Sequence, residues 1–252
     1  MRFLVFGDDK RQQCLAKLLK AEHTVLLPGE GAFDAIVLPC PSFDAAGQVR
    51  INGGIAALAP YLTEGISVFT CGTSPLMNAY PVRCVDLLAD ETAVMHNARL
   101  TAEAALMAVM EHTGDSLQGR CCLVIGSGRI GMYLSSLLQS AGAKVSVYAR
   151  RTRSRAAAEG FGLKTLAPGT LNTPFPLVFN TVPAQALTCA ELLQLRETCL
   201  WVELASAPGG LPQDRAFAFS VLPAGGLPGR YLPNAAARVL YGAICRAIAD
   251  QK

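Results

Sequence analysis

Short apolar runs, each closed by glycine, proline or aspartate, alternate along the chain with stretches whose apolar residues recur at helical spacing. Arg2 to Phe6 reads as a buried strand and Gly7-Asp8-Asp9 as a turn. Lys10 to Lys20 reads as a helix that gathers Cys14, Leu15, Leu18 and Leu19 on one face. Thr24 to Leu27, Ala35 to Leu38 and Ser67 to Thr70 are further short strands, with a helix expected from Gly54 to Thr63 between the last two. Two more short elements follow, around Leu76 to Ala79 and Cys84 to Leu87, and the pattern does not order them. Such alternation predicts a parallel sheet covered by helices.

From Asn97 to His112 the residues Leu100, Ala104, Met107, Val109 and Met110 fit a helical face, and Thr113-Gly114-Asp115 stops it. A strand at Cys121 to Ile125, a glycine turn, a helix from Gly131 to Ala141 and a strand at Lys144 to Tyr148 then form a βαβ unit. Strands are also expected at Leu177 to Asn180, Leu200 to Leu204 and Ser220 to Leu222, and a last helix from Pro233 to Asp250. The expected fold is therefore α/β with two domains. Residues 1–96 form a flavodoxin-like domain, 97–115 a bridging helix and 116–231 a Rossmann NAD(P)-binding domain. The C-terminal helix, 232–252, packs back on the first domain.

Composition narrows the class. About half of the 252 residues are hydrophobic (51%) and only 16% are charged, which suits a compact enzyme better than a disordered chain. A net charge of +3 with dispersed lysines and arginines gives no nucleic-acid-binding stripe. The nine cysteines include no C-x-x-C pair and several sit in apolar runs, as expected of thiols in a reducing cytosol. Asp8 and Asp9 interrupt the apolar start too soon for a signal peptide, and no apolar run is long enough to span a membrane, so the expected location is cytoplasmic. Neither H-E-x-x-H nor a carboxylate cluster occurs, and no metal site is expected.

The specific chemistry begins at Gly126-Ser127-Gly128-Arg129-Ile130-Gly131, a G-x-G-x-x-G string that follows an apolar strand and opens a helix. In that context Gly126 permits the tight turn, Gly128 lets a pyrophosphate approach, and Gly131 packs helix on strand. NAD enzymes carry an acidic residue at the end of the next strand for the ribose 2′-hydroxyl. Here the position holds Ala149-Arg150-Arg151-Thr152-Arg153-Ser154-Arg155. Arginine forks match phosphate oxygens, so Arg150, Arg151, Thr152 and Arg155 predict NADP(H), although an exposed basic helix start would read the same way. Asn180-Thr181-Val182-Pro183 lies where Rossmann domains lay the loop beside the nicotinamide ribose, and Ala205 to Gly210 is a small-residue loop suited to close approach of a ring.

Taken together these strings resemble the dipicolinate synthase A-subunit family. The resemblance runs over nearly the whole chain. It rests on Gly7-Asp8-Asp9-Lys10-Arg11-Gln12, on Asn97 with Thr101 and Glu103, on the turn from Val124 to Met132, and on Ala149-Arg150. It continues through Asn180 to Pro183, Leu204-Ala205-Ser206 with Pro208-Gly209-Gly210, and Gly226-Leu227-Pro228-Gly229 followed by Pro233. It implies oxidation of a 4-hydroxy-tetrahydrodipicolinate, or of the dihydro compound formed by its dehydration, with NADP as hydride acceptor. It also implies a flavoprotein-like partner, the B-type component of a sporulation enzyme. Two departures stand out. Ala207 occupies a position where the family tends to carry arginine, and the segment between Leu27 and Ala35 is trimmed.

A ring dicarboxylate needs fixed positive charge, and Arg11, at the start of a helix facing the expected cleft, is a substrate-binding candidate together with Ser206 and Gly209. A solvated helix-start arginine is the plain alternative. Asn97 and Thr101, at i and i+4, form one polar pair on the bridging helix, while Glu103 is turned away and is expected as a buried partner for an arginine. His96 is the best placed of three histidines for acid–base work. The catalytic candidates are therefore Asn97, Thr101, Glu103 and His96. Two other readings stay open. Arg151-Thr152 with Arg155 resembles the N-R-T-x-x-R string of the shikimate dehydrogenase class, and a non-catalytic NADP-binding regulatory protein fits the same fold. A homo-oligomer is compatible with each.

Overall fold

A computed structural model describes residues 1–171, 174–214 and 216–250. The domain ranges expected from sequence also include residues 172, 173, 215, 251 and 252, which lie outside the described ones. In chain order the first elements are β1 (Arg2–Val5), α1 (Lys10–Leu19), β2 (Thr24–Leu26), β3 (Ala35–Val37), α2 (Gly54–Leu58), β4 (Ser67–Thr70), β5 (Arg83–Asp86) and α3 (Glu91–Thr113). They are followed by β6 (Cys121–Ile125), α4 (Arg129–Ser140), β7 (Lys144–Tyr148), α5 (Thr152–Gly160), β8 (Lys164–Leu166), β9 (Leu177–Asn180) and α6 (Cys189–Leu193). The chain ends with β10 (Leu200–Glu203), β11 (Ser220–Pro223), α7 (Leu227–Tyr231) and α8 (Pro233–Ala249). These fall into two compact units, Met1–Asn97 together with Pro228–Lys252, and Ala98–Leu227.

The first unit holds a parallel sheet in the order β2-β1-β3-β4-β5, the flavodoxin-like arrangement, whose order reverses between β1 and β3. Both faces are covered, so its strands are apolar on both sides: Phe3 joins one core with Val37 and Phe69, and Leu4 joins the other with Ile36 and Val68. Asp9 caps α1 by accepting the Gln12 N–H at 2.8 Å. The buried Gln12 amide then donates to Phe6 O and Leu38 O, both at 2.9 Å, and ties together the ends of β1 and β3. Helix α8 returns to this unit and lays Ala237, Leu240, Ala243 and Ile244 into the core shared with Leu15 and Leu19 of α1. An ion pair between Arg246 and Asp90, at 2.6 Å, fastens its far end.

Two elements differ from their sequence expectation for local reasons. Helix α3 starts at Glu91 instead of Asn97, because Asp90 accepts the Ala93 N–H at 3.1 Å and Glu91 places a negative charge in the first turn. Helix α2 stops at Leu58 and passes into a 3₁₀ turn over Ala59–Tyr61, since Pro60 has no N–H to continue an α-helical ladder.

The second unit holds six parallel strands in the order β11-β10-β9-β6-β7-β8. This is the Rossmann order, with its reversal between β6 and β9. Trp201 stacks on Phe219 at 6.0 Å, within a core that also contains Leu123, Ile125, Tyr148 and Val178. Strand β8 has no counterpart in the hydrophobic pattern: three residues at a sheet edge, with an exposed lysine first, are too few to stand out.

Ile244 is fully buried between α8 and α1, so Ile244→Ala is expected to destabilise the first unit by about 2–5 kcal/mol. Urea unfolding checks this as a lowered midpoint; an unchanged midpoint would mean that α8 does not contribute to that core.

Candidate functional site

At the end of β6 the chain turns through Gly126, whose φ of +102° is costly for any residue with a side chain. A Cβ there would also lie 2.5 Å from Thr181 Oγ1, and a Cβ on Gly131 would collide with the Gly126 carbonyl oxygen. Around Gly128 nothing lies within 4 Å of a built Cβ, so that position faces open space. Two of the glycines are thus required by packing, and the third leaves room above the turn. Helix α4 begins immediately, at Arg129, and its first N–H groups point back at that room with the positive end of the helix dipole behind them. Ile130 completes the first turn of the helix.

The loop after β9 closes the other side. Thr181 donates both its backbone N–H and its hydroxyl to Ile125 O, at 3.0 and 2.8 Å, which fastens this loop to the end of β6. Gly126, Ser127, Gly128, Thr181, Val182 and Pro183 line one groove of about 360 Å³ with Tyr148, Arg150, Arg151 and Ser154. No carboxylate is among its lining residues. Burial, with the Glu191 carboxylate beside it, pushes the Tyr148 phenol up to about 12, and its hydroxyl is oriented towards Glu191 Oε2 at 3.3 Å. The floor of the groove is therefore neutral and fixed.

The arginine cluster divides its work. Arg150 and Arg151 are exposed and line the groove, with Ser154 one turn into α5. Arg155 is spent on the backbone: one of its terminal nitrogens donates to Ala149 O and Arg150 O, both at 2.9 Å, and the other to Thr152 Oγ1 at 3.1 Å. The sequence pattern puts Arg155 and Thr152 on the ligand; in the structure they brace the loop that presents Arg150 and Arg151. Ser154, which lines the groove, is absent from the candidates drawn from sequence, although its place one turn after Arg151 is a readable signal.

A second group has no motif to announce it. Glu203, the last residue of β10, accepts from Asn180 Nδ2 at 2.6 Å and Ala205 N at 3.2 Å on one oxygen, and from Trp201 Nε1 and Gly210 N, both at 3.0 Å, on the other. Asn180 is fully buried and in turn bonds Val182 through both its ends, at 2.9 and 3.2 Å. A Cβ at Gly210 would lie 2.5 Å from Asn180 Nδ2, and Gly209 adopts φ +79° against the Glu203 carboxylate. One carboxylate thus holds the 180–183 and 205–210 loops together, and the exposed Ser206 is carried on the second of them.

The remaining candidates lie elsewhere in sequence. Arg11, in the first turn of α1, is only 6% exposed; it donates to Cys40 O, lies 3.6 Å from Asp9 Oδ2, and its Nε has no partner among the described residues. It is not the solvated helix-start arginine of the plain alternative. Asn97 is half-buried and Thr101 buried, one turn apart on α3, and His96 is exposed. Glu103 is not a buried arginine's partner: it pairs with the exposed Arg99 one turn earlier, at 2.9 Å, on the surface of α3. The periodic placement of an i,i+4 acid–base pair explains that choice.

No protein-family model matches the chain. Compared with known sequences, it is 28% identical over 291 residues to the dipicolinate synthase A-subunit of Bacillus subtilis (strain 168), covering 99% of this chain and 96% of that protein. The chain resembles that A-subunit from end to end. The crystal structure of the dipicolinate synthase A-subunit from Bacillus halodurans has the same fold, with a TM-score of 0.82, 23% identity and coverage of 98% and 97% of the two chains. The transhydrogenase of Sinorhizobium meliloti shares it at a TM-score of 0.70 and 12% identity, over 98% of this chain and 92% of that one. As in other open α/β sheets, the glycine turn and the two loops on either side of it occupy the carboxyl ends of the Rossmann strands, where ligands bind.

Glu203→Gln keeps the shape of the side chain but turns an acceptor oxygen into a donor facing donors. The expected cost is about 1–3 kcal/mol of stability, with faster hydrogen exchange at the amides of Ala205 and Gly210. Unchanged exchange at both amides would show that the carboxylate does not hold the loops.

Proposed function

We propose that this chain is an NADP(H)-dependent oxidoreductase of the dipicolinate synthase type, oxidising a hydroxy-tetrahydrodipicolinate, or the dihydrodipicolinate formed from it, to dipicolinate. The observation that carries the reading is the carboxylate-free groove in which a helix N-terminus, Arg150, Arg151 and Ser154 face the same space. The fit to a dinucleotide rests on the open space at Gly128, beside two glycines that packing requires. When bound, the cofactor supplies the hydride acceptor, and aromatisation of the ring drives the transfer.

In this reading the turn from Gly126 to Gly131 holds the pyrophosphate on N–H groups, with Ser127, Arg129 and Ile130 fixing its course. Arg150 and Arg151 bind the 2′-phosphate, braced by Thr152 and Arg155, and Thr181, Val182 and Pro183 flank the nicotinamide ribose. Arg11, whose Nε has no partner among the described residues, is the carboxylate-binding candidate of the first unit, and Ser206 and Gly209 are the substrate-binding candidates of the second. Asn97 and Thr101 position substrate, His96 is the acid–base candidate, and Glu103, now paired with Arg99, acts through that pair or not at all. The whole-length likeness to a protein named as the A-subunit of dipicolinate synthase supports the substrate class and a partner subunit; we read that partner as flavoprotein-like and the location as cytoplasmic.

Ala207 supports a second reading, a chain that binds NADP(H) and regulates or scaffolds its partner without turnover. One experiment separates the two. Purified chain, with and without the flavoprotein partner, is mixed with NADP⁺ and freshly prepared hydroxy-tetrahydrodipicolinate, and absorbance at the reduced-nicotinamide band is followed. A growing band with dipicolinate formed is the expected result; silence together with demonstrated NADP(H) binding selects the scaffold. In the same protein, Arg150→Ala and Arg151→Ala are each expected to weaken NADPH binding about tenfold to a hundredfold, the loss of one charge-assisted contact, while NADH binding changes little. Equal losses for both dinucleotides would remove the arginines from the 2′-phosphate.

A further inference from the structure

The first unit carries a pair of thiols that the proposed chemistry does not use. Cys40 follows β3 and Cys71 follows β4, and these strands are neighbours in register, with Val37 opposite Phe69. The loop after β3 is drawn onto the end of β4 by two hydrogen bonds: Cys71 N–H donates to Ser42 Oγ at 2.7 Å and Ser42 N–H to Cys71 O at 3.1 Å. Ser42 Oγ donates onward to Pro39 O at 2.7 Å, and the Arg11 guanidinium donates to Cys40 O. Counting on from that register pair, Cys40 lies three residues beyond Val37 and Cys71 two residues beyond Phe69, at the same end of two neighbouring strands.

Cys40 packs against the core cluster that contains Cys71 together with Phe3, Val37 and Phe69. Cys40 is partly exposed and Cys71 buried, so a small reagent meets Cys40 first. The hydrogen bond from Cys71, reinforced by the Arg11 charge, draws the Cys40 thiol down to about 7 against its burial and against the Asp9 and Asp86 carboxylates. The same hydrogen bond, with burial, pushes Cys71 up. Elsewhere burial pushes Cys122 and Cys199 up to about 12, so neither supplies the thiolate that meets peroxide first.

We propose that Cys40 and Cys71 form a peroxide-reactive modification site, Cys40 being the nucleophile that is oxidised first and Cys71 the thiol that resolves it. The Cys40 thiolate attacks one oxygen of hydrogen peroxide; the S–O bond forms, the O–O bond breaks, and hydroxide leaves and is protonated to water. Cys71 sulfur then attacks the Cys40 sulfenic acid. The S–S bond forms, the S–O bond breaks, and the departing hydroxide takes the Cys71 proton as a second water. Two thiols lose two electrons and two protons, and one peroxide is reduced to two waters.

The test uses the full chain, reduced and then exposed to limiting hydrogen peroxide under native conditions, alkylated and digested with trypsin. Peptides 21–50 and 51–83 contain one cysteine each, so the product is a single cross-linked species of their summed mass less two hydrogens. That species is expected before any other cysteine is oxidised, at a rate that rises as pH passes through neutrality. In Cys71→Ser the Cys40 sulfenic acid is expected to accumulate and to be captured by dimedone. Oxidation starting at the exposed Cys84 or Cys189, with Cys40 and Cys71 still alkylated, would overturn the proposal, as would Cys40 oxidation in the unsubstituted chain without the cross-link.

Discussion

A side chain at residue 131 would collide with the carbonyl oxygen of Gly126, so α4 starts in backbone-to-backbone contact with the turn that precedes it. The rest of the candidate site depends on that contact. It sets the helix N-terminus directly above the end of β6, where unpaired N–H groups and the helix dipole favour an anion. It also leaves space for Thr181 to fasten the neighbouring loop to Ile125 O, which gives the groove its second wall.

Around the groove the carboxylates are engaged in construction, and Arg150 and Arg151 are left exposed on its wall. Glu203 is fully engaged by four donors and faces the loops it holds, not the groove. Glu191 is likewise taken up: burial raises its carboxyl, but N–H groups of Thr188 and Gly169 and the hydroxyls of Thr188 and Tyr148 outweigh that and hold it below the ordinary value. Neither glutamate lines the groove, and the charged side chains that do are Arg150 and Arg151, beside the start of α4. In the first unit Asp9 and Gln12 do similar work, one capping α1 and the other joining the ends of β1 and β3.

What can be read from sequence follows from how local each signal is. The glycine turn, the strand before it and the helix after it are contiguous, so their geometry is written in one short string. The order of the six strands follows from that string once the fold is recognised. The start of α3 is harder to place because Glu91 to His96 is mostly polar or small, and its cap rests on a single residue, Asp90. Glu203 is invisible for a different reason: its donors come from residues as far as 23 positions away, and a lone glutamate ending a strand belongs to no motif. Arg155 is legible as a basic residue, but only coordinates show it turned onto the backbone of its own loop.

A crystal structure of the chain grown with NADP⁺ tests the candidate site most directly. The pyrophosphate is expected over Gly126 to Gly131, and the 2′-phosphate among Arg150, Arg151 and Ser154. A dinucleotide bound with its 2′-phosphate away from both arginines, or bound outside the groove altogether, would contradict the assignment.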